Sequence, residues 1–182
     1  MTYAPGSIVL CHSRGIISGL IRFGQWIRHP RRTRFYEWNH VGILNHQTSD
    51  GDWVVIEATA RGVTSGYLST IAPGGRYEVV ALPLGVDAAK VLAFARAQVG
   101  VRYGFVTIAS IALNLLTPSF FRLDVRRSGT WICSALGATS MLAGGWLHPV
   151  RDYYAITPAE VAEALDAANS TQALASYLIR KH

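Results

Sequence analysis

Cysteine is almost missing from this chain: Cys11 and Cys133 are the two that occur among 182 residues. Two thiols cannot build the disulfide framework that stabilises small secreted domains, although a single Cys11–Cys133 bridge stays open. Charge is sparse as well, at 15% of residues against 50% hydrophobic. That balance excludes a disordered or fibrous chain and predicts one domain over residues 1–182 with a large core. Clean hydrophobic runs of membrane length are absent. The apolar stretch Phe105–Phe121 has 17 residues and contains Asn114 and Pro118, whereas a spanning helix needs about 20 apolar positions. It predicts a buried or substrate-facing helix and no transmembrane segment.

Common catalytic signatures are missing too. The chain has no P-loop, no Rossmann glycine fingerprint and no Gly-x-Ser-x-Gly elbow. His12, His29, His40, His46, His148 and His182 include neither a helical i, i+4 pair nor a Cys-x-x-Cys partner, so no metal and no cofactor are expected. The Met1–His12 start lacks a basic segment followed by a long apolar stretch, so no secretory signal is expected and synthesis would leave the protein in the cytoplasm.

What is present is basic. Lys and Arg number 17 against 11 Asp and Glu, a formal charge of +6. Anionic partners qualify on that ground: acidic cell-wall polymer, an anionic membrane surface or nucleic acid. Nucleic acid would use Arg28, Arg31, Arg32, Arg34, Arg126 and Arg127 with Phe35, Tyr36 and Trp38 interleaved. It is disfavoured, because charged loops are usually just solvated.

Secondary structure follows from periodicity and turn chemistry. Ser7–Cys11 is a continuous apolar run that suits a strand covered on both faces. Gly15–Gly24 predicts a short helix. His40–Leu44 and Trp53–Ala58 are β-rich and flank a polar turn-forming stretch, a hairpin pattern. Tyr77–Leu82 predicts a third strand. Asp87 then reads as the N-cap of a helix with Val91, Leu92, Ala95 and Val99 on one face, stopped at Gly100. Three more helices are expected at Phe105–Leu116, Thr130–Ala143 and Pro158–Ala168, the last opened by a Thr157–Glu160 capping box. Strands cluster early and helices late, the α+β pattern.

Within that order, Ser128-Gly129-Thr130 with Thr130 as N-cap places Cys133 in the first turn of its helix. Free amide N–H groups and the helix dipole there favour a thiolate. Small residues downstream, among them Ala135, Gly137 and Ala138, let this helix press closely on its neighbours. A nucleophilic thiol needs a base and a group that fixes the base's tautomer. Pairing Leu44 with Trp53 puts His40 opposite Glu57 on one face of the hairpin, and a carboxylate amid Val54-Val55-Ile56 and Ala58 is costly without such a partner. Cys11-His12 is a second thiol–imidazole pair, but adjacent strand residues point to opposite faces.

Gly6-Ser7-Ile8-Val9-Leu10, Asn39-His40-Val41-Gly42-Ile43, Ile56-Glu57-Ala58, Tyr103-Gly104-Phe105 and Ile132-Cys133-Ser134-Ala135-Leu136 follow one another in this order. The series resembles the circularly permuted NlpC-type papain-like hydrolases, the group with YiiX-like and lecithin–retinol acyltransferase-like proteins, over most of the chain. The resemblance implies a small antiparallel sheet packed on a helical layer, with Cys133 as nucleophile, His40 as base, Glu57 as orienter and Tyr103 beside the substrate or oxyanion. Ser7 stands where the group usually has an aspartate and Ala135 where a glutamate commonly follows Cys-Ser; neither is a triad position.

The same resemblance implies a cysteine peptidase or amidase acting on peptidoglycan, delivered by a phage particle or by lysis. Two alternatives stay open: a lipid acyl hydrolase or acyltransferase, and a non-catalytic module such as a phage tail component in contact with other tail proteins. A thiol-directed covalent probe is expected to modify Cys133 and spare Cys11, as peptide mass mapping would read; equal modification of both thiols would remove the case for a special sulfur.

Overall fold

Five short runs of aliphatic and β-branched residues pair into one antiparallel sheet. In the computed structural model, which describes residues 3–13, 16–28, 33–104, 129–147, 152–154 and 156–179, they are β1 (Ile8–Cys11), β2 (His40–Gln47), β3 (Trp53–Thr59), β4 (Gly62–Tyr67) and β5 (Tyr77–Val80). Their spatial order is β4-β3-β2-β1-β5. β1 lies between β2 and β5 and is buried on both faces, as its unbroken apolar sequence demands. Ile8 and Leu10 enter the larger core, whereas Val9 and Cys11 enter a smaller one with Leu44, Trp53 and Val55.

The β2–β3 hairpin differs in register from the sequence expectation. Asn45, His46 and Gln47 belong to β2, so the turn shrinks to Thr48–Asp52, closed by the Thr48 N–H donating to the Asp52 carbonyl at 2.8 Å. A bulge between Leu44 and His46 then returns one position. Leu44 therefore faces Val55 instead of Trp53, and Gly42, not His40, faces Glu57. The net displacement is two positions, an even number, so every side chain keeps its expected face.

The helices are α1 (Ile16–Arg28), α2 (Leu68–Ile71), α3 (Ala88–Ala97), α4 (Cys133–Ala143) and α5 (Pro158–Ile179), with a 3-10 turn at Thr33–Phe35. Asp87 caps α3 as expected, accepting from the N–H groups of Ala89 and Lys90 at 2.9 and 3.2 Å. Val91, Leu92 and Ala95 are buried, but Val99 falls beyond the helix and is exposed. α5 opens on the expected Thr157–Glu160 box: the Glu160 N–H donates to the Thr157 hydroxyl at 3.2 Å and Thr157 N–H to the Glu160 carboxylate at 2.8 Å. The helix expected at Phe105–Leu116 lies outside the described residues.

Thr130 does not cap α4. Thr130–Trp131 is a short strand, β7, parallel to β6 (Arg102–Tyr103), because a β-branched and an aromatic residue suit a pleated pairing better than a first helical turn. The helix starts at Cys133 itself, after an extended Ile132 that supplies no side-chain cap.

α4 lies against β2 at unusually close range. A Cβ on Gly137 would stand 2.8 Å from Val41 Cγ1, so only a glycine admits this approach. Cys133, one turn earlier on the same stripe, is thereby carried to the start of β2. Gly137→Val is expected to lower the free energy of unfolding by about 1–3 kcal/mol in urea titration. Gly19→Ala in α1, where a Cβ would meet nothing within 4 Å, is expected to cause no loss.

Candidate active site

Three side chains converge where α4 begins. Cys133 is the first residue of α4, His40 the first of β2, and Glu57 sits near the end of β3. His40 Nε2 lies 2.5 Å from Glu57 Oε2. The two are diagonal neighbours, with Gly42 directly opposite Glu57; a Cβ on Gly42 would stand 2.5 Å from Val55 Cγ1, so the bare glycine makes room for Val55 beside them. On β4, a Cβ at Gly66 would come within 3.3 Å of Glu57 Oε1, so a second glycine clears the other side. The buried carboxylate therefore has the partner that its apolar surroundings require.

His40 also lies against Cys133, and each favours the charged form of the other through charge and hydrogen bonding. Because Nε2 serves Glu57, Nδ1 is the nitrogen left for the sulfur. The backbone N–H groups of Ser134, in the first turn of α4, and of Val41 also favour the ionised sulfur. Val41 is available because the β2–β3 ladder ends at Gly42–Glu57, although β3 itself runs on to Thr59.

Electrostatics follow from this geometry. Burial raises the Cys133 pKa, but the His40 charge, its hydrogen bond and the two backbone donors outweigh it, and the thiol is held below its usual 9.0. For His40, burial lowers the pKa. The Cys133 charge and hydrogen bond, then the Glu57 hydrogen bond and charge, overcome this and push it up to about 10. The two shifts run in opposite directions, thiol down and imidazole up, and both favour the proton on the ring as a property of the pair.

Tyr103 lies within reach of the Cys133 charge. Its hydroxyl is pushed above the usual phenol range, first by burial and then by the Cys133 charge, and its strand pairs Tyr103 with Trp131, two residues before Cys133. Cys11 is a contrast. It faces His40 across β1–β2, yet burial, then the Glu57 charge and the Cys133 charge, push its thiol up to about 12. Both cysteines are free, so the bridge left open by composition is not formed. His12 turns to Arg22, with 2.8 Å between Nε2 and Nη1, and takes no part with Cys11.

Sequence reasoning missed the residues that hold the site in place. Ser134 Oγ donates to the Ile156 carbonyl at 2.6 Å, tying the start of α4 to the entry of α5. Buried Gln25 donates to the Trp38 carbonyl at 3.1 Å and accepts from the Ala159 N–H at 3.0 Å, joining α1, the approach to β2 and α5. A lone Gln in an amphipathic helix gives no sequence signal of this; the backbone donors give none either.

Scanned against protein-family models the chain matches none, and no curated protein matches it. Among solved structures, the fold is similar to that of the metalloprotein YiiX from Escherichia coli O157:H7 (DUF1105), with a TM-score of 0.50 and 18% identity. The match covers 77% of this chain and 65% of YiiX, so the chain spans about two thirds of that protein. The fold is accordingly YiiX-like. Among the described residues no three His, Cys, Asp or Glu side chains are grouped to hold a metal ion.

The rate of Cys133 alkylation is expected to rise through an apparent pKa below the ordinary thiol value. His40→Ala should return that pKa to the ordinary range and slow alkylation near neutrality by roughly thirtyfold, the ionised share of a free thiol. An unchanged pH profile in the variant would contradict the pairing.

Proposed function

We propose that the protein is a cysteine hydrolase of the permuted papain-like type that cleaves an amide by acyl transfer. The observation that carries this reading is the Cys133 sulfur at a helix N-terminus, lowered in pKa by an imidazole whose Nε2 is held by Glu57. The Cys133 thiolate attacks the substrate carbonyl carbon, forming a C–S bond and an oxyanion. The Cys133 backbone N–H and the Tyr103 hydroxyl are the donors assigned to that oxygen. His40 then gives its Nδ1 proton to the leaving nitrogen as the C–N bond breaks. Water, deprotonated at the same nitrogen, attacks the thioester, and C–S cleavage releases the acid and restores the charge pair.

A cell-wall peptide is the proposed substrate, since the basic surface favours an acidic polymer and the YiiX-like fold is compatible with the resemblance in sequence. Delivery by a phage particle or by lysis is part of the same proposal. One sequence feature favours a second reading, hydrolysis or transfer of a lipid acyl group: Phe105–Phe121 carries no charged residue and would suit an acyl chain. Release of peptide fragments from purified peptidoglycan, against release of fatty acid from phospholipid, separates the two readings by mass spectrometry.

Turnover is expected to be lost in Cys133→Ala and to follow a bell in pH, rising through the lowered Cys133 pKa and falling through the raised His40 pKa. Glu57→Gln removes a charge and weakens a hydrogen bond that hold the His40 proton, so the alkaline limb should move to lower pH. Activity on either substrate that survives in Cys133→Ala would refute the thiol mechanism.

A further inference from the structure

The formal charge of +6 is not spread over the chain. Arg14, Arg22, Arg28, Arg31, Arg32 and Arg34 are the only charged side chains in the first 36 residues, and the first acid is Glu37. Beyond that point eleven basic residues are balanced by eleven acidic ones. The whole net charge therefore belongs to one segment, and α1 is its central element.

α1 presents an aromatic pair outward from this segment. Phe23 and Trp26 are 54% and 52% exposed, and their rings stack with centroids 6.1 Å apart and an interplanar angle of 29°. Spaced three apart, they share one face of the helix. The inward side is fixed by Gln25, 2% exposed and bonded to Trp38 and Ala159, so α1 cannot roll to bury the pair without breaking both bonds. Large side chains held out of the core this way mark an interaction surface more than a packing accident.

We infer that the outer face of α1 docks on an anionic lipid bilayer, with Phe23 and Trp26 entering the interface and the arginine-rich segment meeting the headgroups. Charge complementarity selects the occupant. A helix with an exposed aromatic pair inside an arginine-rich stretch of sequence is the pattern of an interfacial helix, and each basic residue near an anionic leaflet adds about fivefold to partition. Arg22 and Arg34 also bind His12 and Asp166, which leaves the attraction to the segment as a whole. Single-stranded nucleic acid is the poorer fit, because rings already stacked on one another form a wedge for acyl chains and not separate platforms for bases. This surface is independent of the hydrolase reading.

The test is sedimentation of the full chain with vesicles of mixed phosphatidylglycerol and phosphatidylcholine, compared with pure phosphatidylcholine. Binding to the anionic vesicles, weakened by salt and reduced at least about tenfold in Phe23→Ser/Trp26→Ser, is the expected result. Equal binding to neutral vesicles, undiminished binding of the double variant, or tighter binding to an oligonucleotide would overturn it. If the double variant no longer reacts at Cys133 and has lost its fold, brominated lipid decides instead. Fluorescence quenching in the native protein that is lost in Trp26→Phe supports docking, and quenching identical in both overturns it.

Discussion

A thiol and an imidazole held together away from water, with pKa shifts that favour the charged pair, set the terms for the rest of this molecule. Removing either charge from water costs several kcal/mol, and their mutual attraction repays this only when the remaining hydrogen-bonding capacity is filled. Here three groups serve it. Glu57 takes the far side of the His40 ring, while the Val41 N–H and, at the N-terminus of α4, the Ser134 N–H favour the ionised sulfur. Truncating one member of such a pair would leave an uncompensated buried charge, which is why the site behaves as a unit.

Several packing features make sense as consequences. α4 must approach β2 far enough for a backbone N–H of the strand to reach a sulfur of the helix, and Gly137 against Val41 permits it. β2 and β3 must part beyond Gly42–Glu57 to free that N–H, yet His40 and Glu57 must still touch. Diagonal contact between His40 and Glu57 satisfies both demands. The small core with Cys11, Leu44 and Val55 backs the same strands, so the second thiol is packing material, kept protonated by burial and by the two nearby negative charges.

Where side-chain type alone decides structure, the sequence was legible. The apolar run of β1, the Asp87 cap and the Thr157–Glu160 box each appear where their chemistry requires. Cys133, His40 and Glu57 come together although the assumed register was wrong, because an even displacement preserves the face. β4 was missed, since Gly62, Ser65 and Gly66 are poor strand formers and its pairing comes from β3. Thr130 misled for the opposite reason: a good cap residue was claimed by a strand whose partner lies 28 positions away. The Val41 and Ser134 donors were invisible, because a backbone N–H carries no residue-type signature.

The protonation of His40 measures the shifted pair most directly. Nitrogen chemical shifts of the His40 ring near neutral pH should report both nitrogens protonated, and in Cys133→Ala the ring should give up its proton at lower pH, since the sulfur's charge helps to hold it. A neutral ring in the native protein at that pH, or a titration indifferent to the loss of the sulfur, would contradict the charge pair and the chemistry built on it.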